Sequence, residues 1–88
     1  MVAKRLIIRN PEGLHMRPAA VFAEEMGKFE CEITICTEND EVNAKSILSI
    51  MTSCIKCGTE INLRCDGADE EEAMEKAVSL IVSEFRDV

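Results

Sequence analysis

The sequence predicts a two-layer α+β sandwich with its elements in the order βαββαβα. Three observations carry that expectation. The candidate strands alternate so that apolar side chains fall on one side only, which implies a sheet covered on a single face. Three segments carry helical apolar spacing or a helix start signal, enough to cover that face. The chain has 88 residues, which makes residues 1–88 one domain with a thin core.

Val2 to Arg9 reads as a strand with Leu6 and Ile8 on one face. Asn10-Pro11-Glu12-Gly13 is a turn. Pro18 sits where a helix tolerates proline, in its first turn. Ala19, Phe22, Ala23 and Met26 then follow at i, i+3, i+4 and i+7, and Gly27 marks the stop. Cys31 to Thr37 alternates, with Cys31, Ile33 and Ile35 pointing one way. Glu38-Asn39-Asp40 turns the chain into a short strand around Val42. Ser46 can cap a short helix over Ile47 to Ser53. Glu60 to Cys65 is a strand with Ile61, Leu63 and Cys65 on one side, and Asp66-Gly67 turns after it. Asp69 with Glu72 makes a D-x-x-E capping pattern for a last helix from about Glu70 to Phe85.

Composition removes several function classes. Hydrophobic residues make up 47% and mean hydropathy is −0.01, which fits a compact fold rather than disorder. No apolar run reaches membrane-spanning length, and Met1 to Arg9 lacks the features of a signal peptide, so a cytoplasmic protein without membrane insertion is expected. A net charge of −7 argues against binding nucleic acid or anionic lipid. Trp and Tyr are absent, so stacking platforms for bases are scarce. Five cysteines cannot all pair, and they read first as thiols.

His15 is the only histidine, set in Gly13-Leu14-His15-Met16-Arg17-Pro18. Gly13 frees the backbone before it, and Pro18 fixes a helix start after it. His15 is thus expected at a helix N-terminus, where free N–H groups and the dipole favour an anion. Arg17 adds a fork suited to phosphate. A nucleophilic histidine that accepts a phosphoryl group fits this setting. The plainer alternative is a capping or surface histidine.

The run from Gly13 to Ala20 resembles the active-site motif of HPr, the histidine-containing phosphocarrier family of the bacterial sugar phosphotransferase system. Asn43 to Met51 resembles the second family signature, and the resemblance covers essentially the whole chain. It implies an open-faced sandwich whose four-stranded antiparallel sheet has the order 1-4-2-3, with three helices on one face. It implies a carrier, not a turnover enzyme, that needs no cofactor or metal and acts as a monomer. His15 would be phosphorylated on Nδ1 by Enzyme I, with Arg17 assisting, and would pass the group to IIA domains of sugar permeases. Ser46 would be a regulatory serine, modified by an HPr kinase/phosphorylase, with a catabolite-control transcription factor as a further partner. Ile47, Leu48 and Met51 would form a docking patch with Met16 and Ala20.

The chain departs from that family at four positions. Glu12 replaces a small polar residue, Cys54 stands where glycine ends the second helix, and Glu24 and Ser49 stand where lysine is common. Arg17, Lys45 and Lys56 are left to supply positive charge near the docking surface. Two alternatives stay open: a paralogue serving a nitrogen-related or regulatory branch, and a thiol redox or metal-binding module built on Cys54 and Cys57. A thioredoxin-like motif would open a helix after a strand, and a zinc site would need two more ligands.

Overall fold

A computed structural model describes residues 1–85. The elements run β1 (Val2–Ile7), α1 (Met16–Met26), β2 (Glu32–Cys36), β3 (Glu41–Asn43), α2 (Ile47–Thr52), β4 (Glu60–Asp66) and α3 (Glu70–Val82). The strands form one antiparallel sheet of order β1-β4-β2-β3. Both the expected βαββαβα order and the sheet order 1-4-2-3 are present.

Register follows from the alternation. Leu6 lies opposite Ile61, and Leu63 lies opposite Ile35, which in turn faces Val42. These side chains point to the helical layer, where Ile33, Ile35, Ile61, Leu63 and Cys65 join Phe22, Met26, Ala73, Ala77 and Leu80 in one core. The other face carries a polar row, Arg5–Asn62–Cys36–Glu41, one residue from each strand. Among the described residues, no helix is long and apolar enough to cross a membrane.

Two expectations need correction at α3. The helix ends at Val82 rather than Phe85. Glu84 and Phe85 take φ of 57° and 62°, and the Phe85 N–H returns to the Leu80 carbonyl at 2.9 Å. This left-handed reversal closes the helix and drops Phe85 onto Phe22, ring edge to face at 6.1 Å. The expected Asp69–Glu72 capping box does not form. The Asp69 side chain makes no cap bond; instead its carboxylate accepts from the Glu30 and Cys31 N–H groups at 2.8 and 2.9 Å. Those N–H groups, the Glu30 one foremost, hold the Asp69 carboxyl below its ordinary value.

Candidate functional site

The site begins where β1 leaves the sheet. Ile8 is locked to the 58–59 segment, its N–H on the Thr59 carbonyl at 3.0 Å and its carbonyl on the Gly58 N–H at 2.6 Å. Asn10 follows, 2% exposed, with Nδ2 donating to the Gly13 carbonyl at 2.6 Å and the Gly13 N–H returning to the Asn10 carbonyl at 2.9 Å. Gly13 sits at φ +65°, and a Cβ there would come within 2.5 Å of the Ile55 carbonyl oxygen. Only glycine fits both that conformation and that approach. Leu14 then enters the core, its N–H on the Ile55 carbonyl at 2.8 Å.

This delivers His15 to the N-cap of α1 with extended backbone, φ −84° and ψ −156°. Its carbonyl accepts the Ala19 N–H at 2.9 Å, so the main chain caps the helix. The imidazole makes no cap bond and is exposed, which leaves it available to a reacting group. Pro18 in the first turn carries no N–H, so Met16 and Arg17 supply the open backbone donors there.

The structure gives Arg17 a partner that no local pattern announces. Its Nη1 donates to the Phe85 carbonyl at 3.0 Å. Among the described residues the exposed guanidinium makes that single bond, out of five donors. Lys45, expected to supply positive charge near the docking surface, donates from Nζ to the Phe29 carbonyl at 2.6 Å. That bond holds a half-buried side chain across to the turn after α1. Lys56 remains exposed without an ion pair among the described residues.

The other expected residues lie on α1, on or at the start of α2, and in the loop before His15. α1 and α2 pack against each other. Met16, Ile47 and Leu48 are 64, 45 and 72% exposed, while Ala20 and Met51 are half-buried. Ile50 alone in α2 is fully buried. Ser46 is the N-cap of α2, its Oγ accepting the Ser49 N–H at 3.2 Å. Glu12 is exposed on the loop before His15.

Cys54 and Cys57 are exposed free thiols. Between them the chain forms no turn, and Ile55 is buried with its carbonyl on Leu14. Cys57 Sγ donates to the Arg9 carbonyl at 3.5 Å. Cys54 takes φ 56°, the left-handed region that the resemblance assigns to glycine. Cys31 and Cys65 are buried, and burial first, then Asp69, pushes the Cys31 thiol up to about 11. Among the described residues, no group of three or more His, Cys, Asp or Glu side chains could hold a metal ion. A cavity of about 720 Å³ lies between Cys36, Asp40, Cys54 and Asn62, and His15 does not line it. His15 itself is an exposed side chain on the surface.

Two contributors escaped the sequence reading: the Asn10 clamp and the Phe85 carbonyl. The N-P-E-G turn offered a signal for the first, since asparagine bonds its own turn. The second pairs residues 17 and 85, and nothing local signals it.

A family model described as the PTS HPr component phosphorylation site matches residues 2–83. The phosphocarrier protein HPr of Xylella fastidiosa (strain 9a5c) is 39% identical over 87 residues, covering 99% of this chain and 98% of that one. A crystal structure of HPr from Thermoanaerobacter tengcongensis superposes with a TM-score of 0.95 at 41% identity, covering 100% of this chain and 99% of that one. A crystal structure of Crh from Bacillus subtilis, described as a dimer with a swapped domain, matches at TM-score 0.75 and 37% identity over 96% of this chain and 97% of that one.

Proposed function

This chain belongs to the HPr family, and on that premise we propose that it accepts a phosphoryl group from Enzyme I on His15 and passes it to IIA domains of sugar permeases in the cytoplasm. The observation that carries the reading is an exposed imidazole at the start of α1, with no cap bond of its own, followed by the exposed Met16, while the neighbouring helix α2 exposes Ile47 and Leu48. A small apolar patch beside a reactive group suits brief, repeated docking.

The chemistry is a displacement at phosphorus. The lone pair of His15 Nδ1 forms the new N–P bond. The bond from phosphorus to the donor breaks, its electron pair staying on the donor. The open N–H groups of Met16 and Arg17 at the start of α1 would hold the added charge, and the spare donors of the Arg17 guanidinium would assist. The reverse step hands the group to the next acceptor, so the chain carries and does not turn over substrate. Met16, Ala20, Ile47, Leu48 and Met51 make the docking surface, and one copy suffices.

A regulatory reading adds to this one. Ser46 Oγ already sits at the start of α2, where a phosphate would add roughly −1.5 to −2 charge at the rim of the apolar patch. An HPr kinase/phosphorylase would place it, and a catabolite-control transcription factor would read it. Similarity to Crh supports such a branch.

The test is intact mass after incubation with phosphoenolpyruvate and Enzyme I. One added phosphate, stable to alkali and lost in acid, is expected, and His15→Ala should abolish it. Undiminished labelling of that variant would overturn the assignment.

A further inference from the structure

We infer that Asn10 is a positioning residue for phosphoryl acceptance at His15, an inference that rests on the carrier reading above. Among the described residues, Asn10 is the one polar side chain of the fully buried set. Its Nδ2 donates to the Gly13 carbonyl, two residues before His15, while its Oδ1 has no partner among the described residues. A buried acceptor without a bond costs stability, and an apolar side chain would fill the same space without that cost. What the amide supplies, and an apolar group cannot, is the donor to Gly13.

That donor acts where the chain is steered. Gly13 stands at φ +65° with its own N–H on the Asn10 carbonyl, so the side chain and main chain of Asn10 close the turn from both ends. One residue later, Leu14 is pinned to Ile55. The extended backbone of His15, and with it the direction of the imidazole, is set by these two anchors. Leu14 would still hold without Asn10, but the Gly13 carbonyl would be free to rotate.

Docking is separate from this. Asn10 is buried and cannot meet a partner, while Met16, Ile47 and Leu48 stand on α1 and α2. Loss of the clamp should therefore slow transfer within the docked complex and leave docking intact. A misplacement of about 1 Å can cost roughly a hundredfold in rate, so a tenfold loss is within reach of a loosened turn.

The experiment uses the full chain with Asn10→Ala and Asn10→Leu. The leucine keeps the branched shape, lacks the donor and leaves no polar atom buried. Initial rates of His15 phosphorylation are measured against carrier concentration with Enzyme I and phosphoenolpyruvate, and separately with phosphoramidate, a small donor that needs no docking. We expect the maximal rate to fall about tenfold at unchanged KM, with a parallel fall for phosphoramidate, in variants that melt cooperatively above the assay temperature. An unchanged maximal rate in a folded variant, or a raised KM alone, would overturn the inference. If the alanine variant fails to fold, the leucine variant carries the same test. Should the wild type accept nothing from Enzyme I, the carrier reading fails alone, and the phosphoramidate rates still decide the role of Asn10.

Discussion

The starts of α1 and α3 are built in opposite ways. At α3, Asp69 is a residue type that caps helices well, yet its carboxylate leaves its own helix and ties down Glu30 and Cys31. At α1, His15 is a poor cap by type, and its side chain is bonded to nothing in the helix. One start is consumed by the fold, holding the loop before β2 against α3. The other is held from behind, by Asn10, Gly13 and Ile55, so that its front stays open. Where the side chain is spent, the helix start serves stability. Where the backbone does the holding, the side chain is free for chemistry.

The sharpest way to break the α1 start is Gly13→Ala. The added Cβ would meet the Ile55 oxygen at 2.5 Å at φ +65°. Left-handed backbone and overpacking together should cost about 3 kcal/mol. Urea unfolding should show a lower midpoint at unchanged slope, and His15 phosphorylation should fall with it. A variant as stable as the wild type would mean that the loop is not the support described.

Asp69→Asn tests the α3 start. A carboxylate whose folded value lies below its unfolded one stabilises the fold above the unfolded value and loses that contribution as pH falls through the folded one. For Asp69 the ordinary value is 3.8 and the shift is downward. The wild type should therefore lose stability below 3.8, and the variant should be less stable at pH 7 with a flatter acid limb. Glu25 and Glu70, also shifted down, by Lys28 and the Gly67 N–H respectively, keep their share of that limb. Phosphorylation of His15 in the folded variant should stay unchanged. Melting curves from pH 2 to 7 check this, and equal acid limbs would dissolve the contrast between the two starts.

Ser46→Asp is the gentlest change, since aspartate caps as well as serine. Melting should move little, whereas His15 phosphorylation by Enzyme I should slow through weaker docking, each 1.4 kcal/mol being about tenfold in affinity. Equal apparent affinities would return Ser46 to a plain cap.

Much of this was legible in the residues. Period two in Cys31–Ile33–Ile35 and in Ile61–Leu63–Cys65 reported which face is covered, and all six are buried. Gly13 and Pro18 around a lone histidine announced the helix start, and Ser46 announced its cap. The short-range signals failed where a distant partner outbid the local one. Asp69 met backbone 38 and 39 residues away, and Arg17 met a carbonyl 68 residues away. The end of α3 was misjudged because Phe85 serves the core after a chain reversal, and burial alone mimics helical spacing.

The bonds from Arg17 to Phe85 and from Lys45 to Phe29 bear on how partners meet this surface. Long cations that roam in solvent draw an acidic partner from a Debye length away, about 8 Å in physiological salt. Those bonds fix where two of the three cations sit but leave their charge, and the chain as a whole carries −7, which opposes that pull. Encounter is then governed by ordinary diffusion and by the fit of apolar side chains, not by a guiding field. Added salt should leave association nearly as fast as before, and toward an acidic partner it should quicken it by screening the carrier's own negative charge. On the proposed function, recognition would then come on contact rather than by a pull from afar.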